Sequence, residues 1–571
     1  MKTITSKFDF CIVGGGMAGL CAAIAGARHG LRVALIQDRP VFGGNASSEI
    51  RMWICGAHGY RETGILEEIL LENFHRNGNA NYSIWDSVLY EKVLIEPNLT
   101  PFLNCSCTEV VTENNRIRSV KGWQLTTETW HIIEADYFAD CSGDSILAFL
   151  SGAEFRVGRE ASGEFNESIQ PAEADQKTMG MSCLFQIRET DRPQIFVPPS
   201  WAEKYETDED LPNRPHDTWT NFWWIELGGE DDTLHDAEML RDQLLKIVFG
   251  VWDHMKNHGD HGVENWVIDW IGFLPGKRES RRCIGDHILT QNDVLAEGRF
   301  EDVVGYGGWS MDDHFPAGFR YSGQPTIFHK APSPYGIPLR CLYSKNIENL
   351  FFAGRNISAS HAALSSTRVM GTCAILGQAV GTAAALAARY KFSPREVYQH
   401  KIHELQQMLM KDDCWLPWQS RTPSELTTTA IISASSGNPA PLRNGVDRPF
   451  EGKDNCWIGK IGDWLEYSFE QPKHISSMRL VFDSNLQRSG HNMPCKYTLE
   501  LKGFHTPQTI VKKFRIDLLN ELQEWVTIIR IDSNHQRFVN LNIESKTKSI
   551  RFVPLETWGD ESVQMFAWDI S

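Results

Sequence analysis

The 571-residue sequence has little that would suit it to a membrane, a secretory route or a nucleic acid. Its longest apolar stretches, such as Ala374 to Ala388, are small-residue runs interrupted by Gln378. They fall short of the roughly 20 residues that cross a bilayer, so neither a transmembrane helix nor a membrane partner is expected. The segment Met1 to Lys7 lacks the apolar core and small-residue cleavage site of a secretory signal, which points to the cytoplasm. Basic charge is in deficit: 56 Lys and Arg against 73 Asp and Glu leave a formal net charge of -17. That balance repels a phosphate backbone and argues against nucleic acid. Thirteen cysteines form no regular disulfide framework, and Cys105-Ser106-Cys107 lies between flanks that alternate as a strand does. No metal site is expected. Long low-complexity segments are absent as well, and a chain of this length predicts two or three packed units.

What is present begins eight residues in. Phe8 to Val13 is a short apolar run ending in Gly14-Gly15-Gly16-Met17-Ala18-Gly19, followed by an Ala-rich helix to about His29 and a strand from Arg32 to Ile36. In a strand, glycine turn, helix, strand order, a G-x-G-x-x-G pattern has physical meaning. Gly14 permits the tight turn and Gly16 lets backbone amides approach a pyrophosphate. Gly19 allows close helix packing, and Met17 and Ala18 open the helix at the positive end of its dipole. The second strand should end in an acceptor for a ribose hydroxyl; Gln37 and Asp38 both qualify. Arg39, Gly43 and Gly44 follow, and Asn45 to Ser48 extend them as a polar, backbone-exposing loop suited to phosphate or flavin edges.

These residues resemble the FAD-dependent oxidoreductases related to fumarate reductase and glutathione reductase flavoprotein domains. Four segments carry the resemblance: the glycine pattern with its Arg39…Gly43-Gly44 continuation; a β-meander from about Leu99 to Gly122 that includes Val110, where the family holds adenine; Tyr137 to Asp144, with Cys141, Gly143 and Asp144 returning to the cofactor; and Asn349 to Arg355, followed by a helix containing Gly371, Thr372, Gly377 and Gly381. In the family a strand ending in Ala-Gly-acid meets the ribityl chain, and the next helix aims its N-terminus at the flavin. Here Arg355 follows Gly354 in place of the acid. The resemblance implies an α/β fold: a Rossmann-like FAD-binding domain over 1-160 and 336-395, an inserted α+β substrate or cap domain at 161-335, and a helix and linker at 396-425.

Beyond the linker, short alternating strands broken by turn residues predict a β-sandwich over 426-571. Its landmarks, including Trp464 to Phe469, Met478 to Phe482 and Val563 to Asp569, resemble discoidin-like, galactose-binding jelly-roll modules.

Hydride transfer to flavin needs a group that takes the hydroxyl proton, and histidine is the natural base near neutral pH. His58, His314 and His361 are the candidates. The resemblance implies that Arg368 binds a substrate anion, and that His58 lies in the loop where some relatives attach flavin covalently. The insertion is rich in tryptophan: Trp201, Trp219, Trp223, Trp224, Trp252, Trp266, Trp270 and Trp309, whose flat faces suit sugar rings. Arg278, Glu279 and Arg281 are expected to be buried and to organise the pocket. His254, His258 and His261 read as a surface helix. The leading expectation is an FAD enzyme that dehydrogenates a hydroxyl of a carbohydrate or related polyol, its small-molecule partner a sugar or glycoside. A flavin monooxygenase, a redox-assisted glycoside cleavage enzyme and a non-enzymatic glycan-binding protein are the alternatives. A homo-oligomer is left open.

Overall fold

The computed structural model describes residues 1–488, 495 and 503–571. The chain forms two compact units, Met1–His58 with Ala80–Leu405, and Gly59–Asn79 with 406–488 and 504–571. This grouping differs from the sequence division, which kept 59–79 with the flavin segment and ended that segment at 395.

In the first unit, strands β1 (Lys2–Val13), β2 (Val33–Ile36), β3 (Leu99–Phe102), β4 (Cys105–Glu113), β5 (Arg116–Gln124) and β6 (Thr129–Asp140) form a sheet of order β3-β2-β1-β6-β5-β4. The members β3, β2, β1 and β6 run parallel, with Val13 opposite both Ile36 and Asp140, and Ile36 opposite Phe102. On the edge away from β1, β6 serves two partners. Its first half pairs antiparallel with β5, and Phe138 to Asp140 pair parallel with the strand Leu350–Phe352. Five carboxyl-terminal strand ends therefore stop along one line, the place where open α/β sheets bind ligands.

Helix α1 (Met17–Arg28) packs on the 21-residue helix Met370–Tyr390. Their backbones meet almost directly. A Cβ on Gly377 would lie 2.0 Å from the Ala18 carbonyl oxygen, and one on Gly381 would lie 2.2 Å from that of Ala22. This close approach explains the glycine punctuation. Met370–Tyr390 is long and apolar enough to cross a membrane, but 94% of its apolar window is buried inside the protein, as in a core helix.

The inserted residues build a second core around Phe185, Phe222, Trp224, Trp252 and Trp266, with the helix Ala237–Asn257 across it. These three tryptophans fill core and are not a sugar platform. Nearby, Met311–His314 pairs antiparallel with Thr326–His329.

The other unit is an antiparallel β-sandwich. Its strand order is Trp457–Lys460, Ser562–Ile570, Leu465–Phe482, Phe538–Thr557, Val511–Leu519, Trp525–Ile531, with Ile431–Ala434 also on Leu465–Phe482. Trp457, Tyr467, Phe482, Phe514, Phe552 and Trp568 fill its core. The helix Ile65–Arg76 belongs to this unit because its buried Glu67 is held by Arg488 at 2.5 Å and by Ser484 at 2.6 Å. Residues 489–494 and 496–502 of the expected module lie outside the described residues.

Gly377→Ala should destabilise the protein by about 1–3 kcal/mol in urea unfolding, the usual cost of overpacking. Gly163→Ala, whose Cβ meets nothing within 4 Å, should stay within about 0.5 kcal/mol of the parent.

Candidate functional site

A cavity of about 1000 Å³ opens along the line of strand ends. The turn after β1 contributes Gly14, Gly16, Met17 and Ala18, and the end of β2 contributes Gln37, Asp38 and Arg39. Gly43, Gly44 and Asn45, then Cys141, Gly143 and Asp144, and finally Gly354 and Arg355 complete this part of the lining. Segments more than 300 residues apart in sequence are thus assembled around one space.

Several predicted residues do not line it. Gly19 is a packing residue: a Cβ there would lie 1.8 Å from the Gly14 carbonyl oxygen. The Ser48 N–H donates to Asp86 at 3.2 Å. Val110 packs on the sheet core, while Cys105, Ser106 and Cys107, earlier on the same strand, face the cavity. At the helix start, the Gly371 N–H donates to the Cys55 carbonyl at 2.8 Å and Thr372 is fully buried. Val369, Met370 and Cys373 are the residues turned toward the cavity.

The turn is built to receive an anion. Gly14 has φ +105°, and a Cβ on it would overlap the Cys141 carbonyl at 2.3 Å. At Gly16 a Cβ would meet only the Gly44 Cα, at 3.8 Å, so the backbone there is open to the cavity. The Gln37 side chain is already committed: its Oε1 accepts the Gly15 N–H at 2.7 Å and its Nε2 donates to the Val41 carbonyl at 3.2 Å. Of the two ribose candidates Asp38, with a side chain 62% exposed and 3.6 Å from Arg39, is the more accessible. Glu49, absent from the sequence reading, also lines the cavity, and burial pushes its carboxyl up.

A carboxylate does stand beside Arg355, that of Asp144. It accepts from Arg355 at 2.7 Å, from Ser280 at 2.8 Å and from Lys277 at 3.1 Å. Burial disfavours this carboxylate, but Arg355 and Lys277 outweigh it and bring its pKa down to about 2. Arg39 Nη1 and Arg355 Nε are buried donors with no hydrogen-bond partner among the described residues. In a chain of net charge -17, cations of the lining (Arg39, Lys277, Arg278, Arg281, Arg355, Arg368) outnumber its acids (Asp38, Glu49, Asp144, Asp312). Open turn, orphan donors and local positive charge fit a dinucleotide pyrophosphate.

A second wall carries the ionisable groups. His314 lines the cavity, with Nδ1 2.6 Å from Glu226 and Nε2 3.2 Å from Asp312. Arg368 donates to Asp312 at 3.2 Å, and Arg278 lies 3.3 Å from Glu226. Burial works against a charged ring, yet Glu226 and Asp312 outweigh it and raise His314 above the ordinary histidine value. Asp312 is held well below the carboxylate range because His314 and Arg368 overcome its burial. Trp223 and Trp309 also face the cavity; Trp201 and Trp219 are exposed elsewhere.

The other two histidines lie off the lining. His58 is exposed and stacks on Trp309, ring centroids 4.5 Å apart. His361 is buried between Glu279, at 2.9 Å, and Asp313, at 3.2 Å. Glu279 also pairs with Arg282, which reaches Glu160 at 2.6 Å. Burial opposes the His361 charge, but the two carboxylates raise its pKa to about 9. Enclosed by two carboxylates and off the cavity lining, His361 is an ion-pair residue. Arg278 and Glu279 are buried as expected, whereas Arg281 is only half-buried.

Because His361 binds its proton more tightly folded than unfolded, it contributes stability that is complete below about pH 6.5 and is lost as pH rises through about 9. Chemical denaturation of His361→Gln should show a lower stability at pH 6 and a shallower decline toward pH 9.5 than the parent. Parallel curves would remove the charged ring from the fold's energetics.

The profile of the family described as FAD dependent oxidoreductase matches residues 9–409. No curated protein sequence matches the chain. Among solved structures, the family 32 carbohydrate-binding module of Streptococcus pneumoniae EndoD is similar at 10% identity over 27% of this chain and 99% of that module, TM-score 0.20. The family 32 module of C. perfringens NanJ, solved with galactose, is similar at 10% identity over 26% of this chain and 97% of the module, TM-score 0.19. A Streptococcus pneumoniae fucose binding module is similar at 11% identity, covering 26% and 94%, TM-score 0.20. With the family profile spanning the strand-end cavity and both segments that close it, the chain belongs to the FAD-dependent oxidoreductases.

Proposed function

We propose that this oxidoreductase dehydrogenates a hydroxyl-bearing carbon of a carbohydrate or related polyol. The observation that carries the reading is the His314–Asp312–Arg368 array, backed by Glu226, set in the same cavity as the glycine turn and flanked by Trp223 and Trp309. FAD, when bound, supplies the hydride acceptor. The Gly14–Ala18 turn and the start of α1 meet the pyrophosphate, Asp38 accepts from a ribose hydroxyl, and Arg39 and Arg355 offer their unsatisfied N–H groups to anionic oxygens. The start of Met370–Tyr390 at the cavity favours negative charge there through its dipole.

Oxidising an alcohol also releases a hydroxyl proton. Glu226 holds the Nδ1 proton of His314 but does not line the cavity, whereas Asp312 does. Nε2 is therefore the nitrogen on the substrate side, where a hydroxyl competes with Asp312 for it. Arg368 fixes Asp312, and the tryptophan faces match the apolar faces of a sugar ring.

Gly16→Val should fill the open side of the turn and yield a folded, colourless protein. Retention of the yellow cofactor by this variant would dismiss the turn as its cradle. Anaerobic mixing with a panel of monosaccharides, glycosides and polyols should bleach the visible flavin band with at least one; bleaching only by a different substrate class overturns the carbohydrate reading. The raised His314 must lose its proton to act as a base, so the rate of bleaching should climb with pH through a value above the ordinary 6.5. His314→Gln should slow it about 10²–10⁴-fold and flatten that rise; an unchanged pH profile would take His314 out of the mechanism.

A further inference from the structure

Off the cavity lining, the inserted region gathers three imidazoles and a carboxylate, and the geometry points to a zinc-class divalent cation site formed by Asp208, His216, His254 and His261. The ligand atoms of these four side chains all lie within 4.8 Å of one another. The Oδ1 of Asp208 is 3.0 Å from Nε2 of His254, 3.5 Å from Nε2 of His216 and 3.7 Å from Nε2 of His261. A tetrahedral ion with bonds of about 2.0–2.1 Å separates its ligand atoms by about 3.3–3.4 Å, and these three spacings bracket that edge. The rings agree. An imidazole centroid lies about 3.2 Å from an ion it ligates, so tetrahedral rings stand about 5.2 Å apart. Here the centroid separations are 5.0, 4.9 and 4.7 Å.

Proton placement points the same way. His254 Nδ1 lies 3.0 Å from the Tyr205 carbonyl, and His216 Nδ1 lies 2.6 Å from the Arg214 carbonyl. Carbonyls only accept, so both Nδ1 atoms carry their protons. That leaves Nε2 of each ring, the nitrogen directed at Asp208, as the atom a cation would take. Backbone carbonyls holding the far nitrogen are the usual orienting shell of metal-bound histidine. As a ligand His261 would release the His258 carbonyl, now 3.1 Å from its Nε2.

The sequence reading of a surface helix fails here because spacing on one helix was the wrong measure. His254, on the last turn of Ala237–Asn257, is buried, and His258 turns away to Asp253 at 3.6 Å. The completing ligands come from the stretch between Glu189 and Glu226, whose only regular element among the described residues is the short 3₁₀ turn Asp208–Asp210. Three imidazoles and one carboxylate leave no open position and match zinc in ligand type, which makes the site a structural clamp. It would fasten that irregular stretch to the helix end, seven residues before the cavity-lining Trp223. Asp208, with a side chain 72% exposed, leaves an entry path.

The test uses the full-length, untagged flavoprotein purified without chelator. Elemental analysis should find about one zinc per chain. Cobalt(II) substituted after chelation should give intense tetrahedral bands to the red of the flavin absorption, and chelation should lower the melting temperature until zinc is restored. His216→Gln and Asp208→Asn, both at the solvent edge, should weaken zinc binding at least about 10–100-fold with flavin content unchanged. His258→Gln should bind zinc like the parent. Zinc binding by the parent no stronger than by His216→Gln, or cobalt bands of octahedral type, would overturn the site.

Discussion

The tight seam between the first glycine turn and the end of β6 is the constraint on which the site depends. With Gly14 pressed against the Cys141 carbonyl, the loops after two parallel strands must leave the sheet side by side. Asp140 secures the seam from below. Its buried carboxylate accepts the backbone N–H groups of Ser142, Leu147 and Ala148 and the amide of Asn356. Burial raises this carboxyl, and the hydrogen bonds oppose that rise. One acid thereby ties the loop after β6 to the segment after Leu350–Phe352, more than 200 residues later. The cavity is the space these converging loops leave.

Burying charge beside that space is expensive, since each ion loses its hydration. The chain meets the cost by linking charges of alternating sign. Glu160, Arg282, Glu279, His361 and Asp313 form one series, and Arg278, Glu226, His314, Asp312 and Arg368 form another. Removing one member leaves its neighbour buried and unpaired, which is costlier than losing the pair. Such series hold side chains in fixed orientations.

Much of the flavin half was legible because its residues act through the backbone. Gly14, Gly16 and Gly19 mark a turn, a cradle and a packing contact by the absence of a side chain, and the strand and helix around them follow from local pattern. Gln37, Asp144 and Arg355 were harder. Whether Gln37 is free for a ribose depends on the Gly15 amide beside it, and the carboxylate beside Arg355 arrives from a loop 211 residues away. Val110 illustrates register: periodicity identified its strand, but not that Cys105 to Cys107 would reach the cavity. The helix Ile65–Arg76 shows the limit of reading domains by continuity, because its unit membership rests on the pairing of Glu67 with Arg488, far away in the chain.

His314 and His361 show how one strand can assign opposite roles to similar residues. Side chains alternate across a strand, so in Met311–His314 the side chains of Asp312 and His314 share a face and bond to each other at 3.2 Å, while Asp313 points the other way and meets His361. Each imidazole therefore sits between one acid of this strand and one distant glutamate, and each is raised for the same electrostatic reason. They differ in what lies beyond the pair. Asp313 and Glu279 take both ring nitrogens of His361, which does not line the cavity, so its charge serves the fold. Asp312 and His314 both border the cavity, so this pair opens onto space. Chemistry is thus assigned by which face of a four-residue strand opens onto space.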